Sequence, residues 1–194
     1  ADSDHSGGAL AILRAVPVAR LISSLPADHP VVNNAGAVSH ARCEAGERWD
    51  WDGVAFEFLH PSHAAYADAT RKSNDFSCVL RVQAGDEALL LTGDVEARSE
   101  AEMLGGAAAS LRAGVLLVPH HGSRTSSTQA FIDAVAPRVA IVAAGYRNRF
   151  GHPRGDVLAR YARAGAVRPR TDLQGAISVT IDAERPCMSG RAPF

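Results

Sequence analysis

Apolar residues along this chain recur with helix-like spacing in some stretches and with strand-like alternation or short continuous runs in others. After a polar opening, DHSGG, residues 9–16 (ALAILRAV) predict a helix and residues 18–24 (VARLISS) a short buried strand. Residues 25–48 carry scattered Pro, Asn and Gly and predict no particular element. Residues 49–61 (WDWDGVAFEFLHP) alternate apolar and polar positions with aromatic residues and predict one strand. Residues 64–75 (AAYADATRKSND) read as a loop or short helix, and residues 76–94 (FSCVLRVQAGDEALLLTGD) as two strands around an Ala-Gly-Asp-Glu turn. Residues 95–113 predict a helix with acidic residues early, where the helix dipole favours them. Residues 114–123 (GVLLVPHHGS) predict a buried strand that ends in a loop. A helix follows, with Ser126 and Ser127 as candidate N-caps and a stop before Pro137. A strand at RVAIVAAG, a helix ending at Gly165 and a last strand at GAISVTID complete the pattern. This order predicts a layered α/β fold in one domain spanning residues 1–194, since no linker interrupts it.

Composition narrows the classes. The chain has 194 residues, 46% of them hydrophobic, enough for one sizeable core. A net charge of -1 excludes the usual footprint of a basic nucleic-acid binder, so any such contact must come from a local patch. Lys72 is the only lysine beside 19 arginines. Arginine suits a bidentate grip on phosphate, and a GC-rich coding sequence gives the same bias. The three cysteines, Cys43, Cys78 and Cys187, are odd in number and lack CxxC spacing, which argues against a disulfide framework and a zinc ribbon. Cys78 lies in an apolar run and reads as core. No stretch approaches the roughly 20 apolar residues of a membrane span, and no signal peptide is visible.

Polar clusters fall at predicted strand ends, where scaffolds hold reactive groups. They are Asp2, Asp4 and His5 at the start, Asp94 in LLTGD, His120 and His121 in VPHHGS, and His152 in GHP. Each alone has a structural reading: an Asp after a strand caps the next helix, and a single His braces a loop. Together, carboxylates and imidazoles gathered from four loops point to a metal site. Two carboxylates and a His within four residues can serve two metals, with Asp94 bridging them, and such a pair suits displacement at phosphorus.

The set resembles the metallo-β-lactamase fold, whose first metal loop reads HxHxDH. Within it the chain is most similar to the ComEC group, DNA-uptake channel proteins of competent bacteria, whose loop reads HxDxDHxGG; this chain reads ADSDHSGG. The stretches SNDFSCVLRV, LLTGDVE, LLVPHHGSRTSS, GYRNRFGHP and RTDLQGAISV continue the resemblance in order and spacing. It implies a four-layer αββα domain that lacks its N-terminal strands here, with the first motif histidine preceding Ala1. It implies that Asp2 serves one metal, that Asp4 and His5 hold the other, and that Asp94 bridges. His120, in preference to His121, completes a metal, and His152 is the late ligand. The histidine of a GHTxG strand has no counterpart, since the aligned residues read SNDFS. His60 reads as structural, Asn74 and Asp75 as ordering a loop near the site, and Ser77 as a strand start.

Hard oxygen ligands favour two manganese ions, with zinc as the alternative, and no organic cofactor is expected. Arg124, Arg147 and Arg149 flank the proposed ligands and read as a positive rim for a phosphate backbone, with Tyr146 offering a face to a base. The resemblance implies a DNA phosphodiesterase that degrades the non-transforming strand, with single-stranded DNA and a membrane channel domain of the same protein as partners. It would be a soluble domain of an inner-membrane protein, facing the periplasm or exterior. Asp94 would help generate the nucleophile and His121 protonate the leaving oxygen. Without the first motif histidine, the chain is expected to bind one metal position poorly and hydrolyse little. The competing readings are a small-ester hydrolase of the choline-phosphate type, which needs an aromatic pocket, and a non-catalytic module that guides DNA.

Overall fold

The computed structural model describes residues 2–181 and 187–190. The chain begins with two short helices, α1 (Ser3–Ser6) and α2 (Ala9–Ala15). Next come β1 (Arg20–Ser23), α3 (Pro30–Asn33) and β2 (Ser39–Arg42). β1 and β2 pair in parallel as a separate ribbon. β1 holds no fully buried residue, so the buried strand read from VARLISS is a partly covered one, paired with β2 in a two-stranded ribbon.

The main sheet has six strands in sequential order: β3 (Arg48–Trp51), β4 (Val54–His60), β5 (Val79–Ala84), β6 (Glu87–Leu91), β7 (Val115–Leu117) and β8 (Val139–Ile141). The single strand predicted over residues 49–61 is a hairpin, β3 against β4. Asp52 and Gly53 have φ of 50° and 80°, the left-handed pair that a tight hairpin turn requires. The alternation continues through the Asp-Gly turn, so the period alone conceals it. The β5–β6 hairpin forms as predicted.

From β6 onward the pairing is parallel, because helices carry the crossovers. α4 (Ala97–Ala107) and a following 3₁₀ turn (Ala108–Leu111) lead to β7; α5 (Gln129–Val135) leads to β8. α6 (Gly155–Arg163) and α7 (Thr171–Gln174) precede β9 (Ile177–Thr180), which pairs with β10 (Cys187–Gly190). The core lies between the sheet and α4, α5 and α6. Leu90, Leu116 and Ala140 from the strands meet Met103, Phe131, Ile132, Val157 and Tyr161 from the helices. Each large apolar side chain buried there contributes about 1.5–3 kcal/mol. The described residues thus form the layered mixture of sheets and helices expected of an α/β fold.

Two local expectations change. Thr128, not Ser126 or Ser127, caps α5, accepting from the Phe131 amide. The Ser126 hydroxyl donates to the carbonyls of Pro119 and Ser123, while the amides of Ser127 and Thr128 donate to the fully buried Glu100 carboxylate. A carboxyl acceptor far along the chain therefore holds the turn that leads into the helix, and Thr128 caps it. Cys78 is not a free core thiol: it forms a disulfide with Cys43, their Cα atoms 5.9 Å apart. The end of β2 and the segment entering β5 meet face to face, across a separation of 35 residues that count and spacing do not reveal. No helix among the described residues is long and apolar enough to cross a membrane.

Candidate metal centre

The loops after β6 and β7 are tied together before they present any side chain. The Thr92 hydroxyl donates to the Leu117 carbonyl at 2.7 Å, and the His120 amide donates to the Gly93 carbonyl at 3.1 Å. The Asp94 amide donates to Ser77 Oγ at 3.1 Å, and the Ser77 carbonyl meets His60 Nδ1 at 3.0 Å. Ser77, read from the sequence as a strand start, therefore orients Asp94. His60 is a buried brace behind it, as expected, and burial lowers its pKa.

His120 and His121 both adopt left-handed backbone, with φ of 49° and 54°. Such a conformation costs a non-glycine residue on the order of 1 kcal/mol, and here it sends the adjacent rings to different partners. His121 Nε2 lies 3.1 Å from Asp4 Oδ2 and 3.5 Å from Asp94 Oδ1. Its Nδ1 donates to the Ala143 carbonyl at 2.6 Å. His120 Nδ1 instead meets Glu96 Oε1 at 3.3 Å and Thr125 Oγ1 at 3.2 Å.

α1 folds over this end of the sheet and brings in Asp4 and His5. His5 Nε2 lies 3.1 Å from Asp94 Oδ2 and 3.8 Å from Asp4 Oδ2. Donor atoms of Asp4, His5, Asp94 and His121 all fall within 4.8 Å of one another. The hydrogen bond to Asp94 raises the His5 pKa against the opposing effect of burial. Burial pushes the Asp94 carboxyl upward, but the hydrogen bond and charge of His5, with His121 and His120 behind it, outweigh that and lower its pKa.

The remaining predicted residues surround the four. Asp2, His120, His152, Arg149 and Phe150 line the same cleft of about 460 Å³, together with Asp4, Asp94 and His121. Asp2 stands at the start of α1, outside the group of four. The His152 ring meets that of His120 edge-on at 5.8 Å. Burial, then the charges of His120 and Arg154, lower the His152 pKa and favour the neutral imidazole. Of the three arginines, Arg149 lies on the cleft wall, with its guanidinium 4.8 Å from the Phe150 ring centre. Arg124 pairs with Asp156 at 3.2 Å, and Arg147 sits over exposed Tyr146 at 5.2 Å. A larger cavity, about 670 Å³, lies beside His60, Arg71 and Glu102, but its charges pair with one another, Arg71 to Glu102 at 2.7 Å.

Three contributors escaped the sequence reading. Glu96 holds His120, and its signal was an acid two residues beyond Asp94. Asn148 ties its loop by bonding both the amide and the carbonyl of His152. Phe150 lies two residues before His152 and stacks on its ring at 5.9 Å. Asn74 contributes as expected, through a 3.4 Å contact with Glu96.

Residues 1–146 match the Metallo-beta-lactamase superfamily. The chain belongs to that superfamily. As a metallo-beta-lactamase domain it is 40% identical over 176 residues to Competence protein ComA of Neisseria gonorrhoeae, covering 91% of this chain and 23% of that protein. Recombination protein 2 of Haemophilus influenzae is 36% identical over 187 residues, 95% of this chain and 22% of that protein. ComE operon protein 3 of Bacillus subtilis is 33% identical over 184 residues, 91% of this chain and 23% of that protein. The domain thus spans less than a quarter of the length of these relatives.

The superfamily implies divalent metal ions, and the donor set fits one. The Ala143 carbonyl only accepts, so Nδ1 of His121 carries a proton and orients the ring, and Nε2 faces the carboxylates of Asp4 and Asp94. Two carboxylates and two imidazoles converging in this way are a donor set that suits a divalent cation, and a histidine oriented by a carbonyl behind it is the usual form of a metal ligand.

Proposed function

We propose that this domain is a metal-dependent phosphodiesterase that cuts DNA during uptake, degrading the strand that does not enter the cell. The observation that carries the reading is the convergence of Asp4, His5, Asp94 and His121, three of which, Asp4, Asp94 and His121, line a cleft with an arginine on its wall. The names of its relatives, a competence protein and a recombination protein, point to DNA as the substrate.

Asp4, His5, Asp94 and His121 would hold one divalent ion, manganese in preference to zinc, and Asp2 and His152 line the cleft where a second would sit. Bound metal supplies Lewis-acid activation of water and neutralises charge on the phosphate. Asp94 also keeps His5 in place, and Ser77 and His60 keep Asp94 in place. His121 is spent on its carbonyl and the carboxylates. The proton for the leaving oxygen therefore falls to His120, which Glu96 holds by Nδ1 and which leaves Nε2 for the cleft. Arg149 grips the phosphate backbone.

The Cys43–Cys78 disulfide supports an oxidising compartment, so the domain faces the periplasm or exterior, beside the channel of the same protein. A choline-phosphate esterase needs an aromatic cage, and Phe150 is the one Phe, Tyr or Trp residue among those lining the cleft.

The test is cleavage of end-labelled single- and double-stranded DNA with manganese, zinc or EDTA, by the full-length protein and its Asp94→Ala variant. Metal-dependent cutting lost in the variant is expected. No cutting under any metal, with metal content confirmed, overturns the proposal.

A further inference from the structure

A second cavity, about 300 Å³, opens beside the group of four and shares Asp4 and His121 with it. Its other lining includes Gly145, Phe150, His152 and Thr171. The space exceeds a nucleobase, and a group held there lies next to whatever binds at Asp4 and His121.

The wall of this cavity has an unusual balance. Phe150 is 58% exposed, a high value for a large apolar residue. Its ring lies nearly parallel to that of His152, at 16°, so the platform is backed by a second ring. Apart from the buried Nδ1 of His152, which has no hydrogen-bond partner among the described residues, the polar groups around it are engaged as follows. Asn148 donates to the carbonyls of Gly145 and His152 and accepts from the His152 amide. The Thr171 hydroxyl donates to the Ala144 carbonyl and accepts from the Ala144 amide. The Ala143 carbonyl accepts from His121. What the wall offers a ligand is an aromatic face with few free donors or acceptors, the chemistry of sequence-tolerant base stacking.

We propose that this cavity takes an unpaired nucleobase adjoining the scissile phosphate, stacked on Phe150, and so selects single-stranded DNA irrespective of sequence. The proposal rests on the phosphodiesterase reading. A base in a duplex reaches such a cavity only after leaving its stack and its partner, which costs free energy. A single strand avoids that cost. The Arg149 guanidinium, 4.8 Å from the centre of the same ring, moves off that face as the base arrives and is then placed to take a backbone phosphate.

The experiment compares cleavage of a single-stranded oligonucleotide with that of the same strand carrying an abasic residue beside the cut phosphate, by wild type, Phe150→Leu and Phe150→Trp. Wild type is expected to prefer the base-bearing strand by about 5- to 150-fold, the worth of one stacked base. Phe150→Leu loses that preference and Phe150→Trp keeps it. Homopolymers of dA, dC and dT are expected to be cut within about tenfold of one another, the span expected of stacking differences alone. If wild type cuts both strands equally, or the leucine variant slows both by the same factor, the cavity holds no base and the proposal falls while the phosphodiesterase reading stands. A preference for one base beyond that range overturns the sequence tolerance. If wild type with metal cuts neither strand, the phosphodiesterase reading fails and takes this proposal with it.

Discussion

Reducing the Cys43–Cys78 bond removes a cross-link between residues 35 apart. In the chain-entropy description, closing a loop of that length takes about 13 cal/mol/K from the unfolded chain, which is about 4 kcal/mol at 25 °C. The reduced protein should be less stable by that amount. With a urea dependence of about 2 kcal/mol/M for a domain of this size, the unfolding midpoint should fall by about 2 M. Equilibrium unfolding with and without reductant measures this on an unchanged sequence, and a thiol titration of the unfolded chain should find two more thiols after reduction. Cys78 directly follows Ser77, whose Oγ holds the Asp94 amide, so reduction should also weaken metal binding. A midpoint that moves by less than about 0.5 M, set against that 2 M expectation, or an equal thiol count in both states, would refute the reasoning.

Asp94→Ala removes the residue that meets both His5 and His121, and metal affinity by calorimetry should fall more than about 100-fold, since residues behind the ligands are alone worth 10–100-fold. Gly122→Ala places a Cβ 2.6 Å from the Pro153 side chain, at a φ of +82°, and should cost about 1–3 kcal/mol in denaturant unfolding while moving His152 away from the cleft. Glu100→Ala orphans the amides of Ser127 and Thr128 and should cost about 2–5 kcal/mol in the same assay. In the metal-free protein, the stabilisation from the raised His5 pKa is full below its ordinary 6.5 and is lost as pH rises through the raised value. That from the lowered Asp94 pKa is full above 3.8 and is lost as pH falls through the lowered value. The gap in urea midpoint between wild type and His5→Ala in EDTA should therefore be widest at about pH 4–6.5; a gap independent of pH would contradict the pairing.

The residues of the site were legible because reactive groups at strand ends need only local pattern to be found. Asp94 closes an apolar run, and the His120–His121 pair closes another. The way they divide the work was not legible. Two consecutive left-handed residues set which ring faces Asp4, and no residue type announces that conformation in a histidine. The elements that moved were those decided by distant partners: Glu100 holding the turn that leads into α5, Cys43 pairing with Cys78, and Ser77 holding Asp94. The β3–β4 hairpin is different, since its Asp-Gly turn was present in the sequence and the regular alternation around it hid the signal.

α1 contributes two of the four converging donors yet buries none of its own residues, and Asp4 meets His121 across 117 positions. The sheet and its core do not depend on that contact, but the metal centre does. Local opening of α1 is therefore far easier than unfolding the domain. On warming, activity should disappear while the six-stranded sheet is still intact, and bound metal should raise the temperature of inactivation more than that of melting. During synthesis the same geometry makes the metal centre a late acquisition, since β7 must be in place before α1 has anything to close upon.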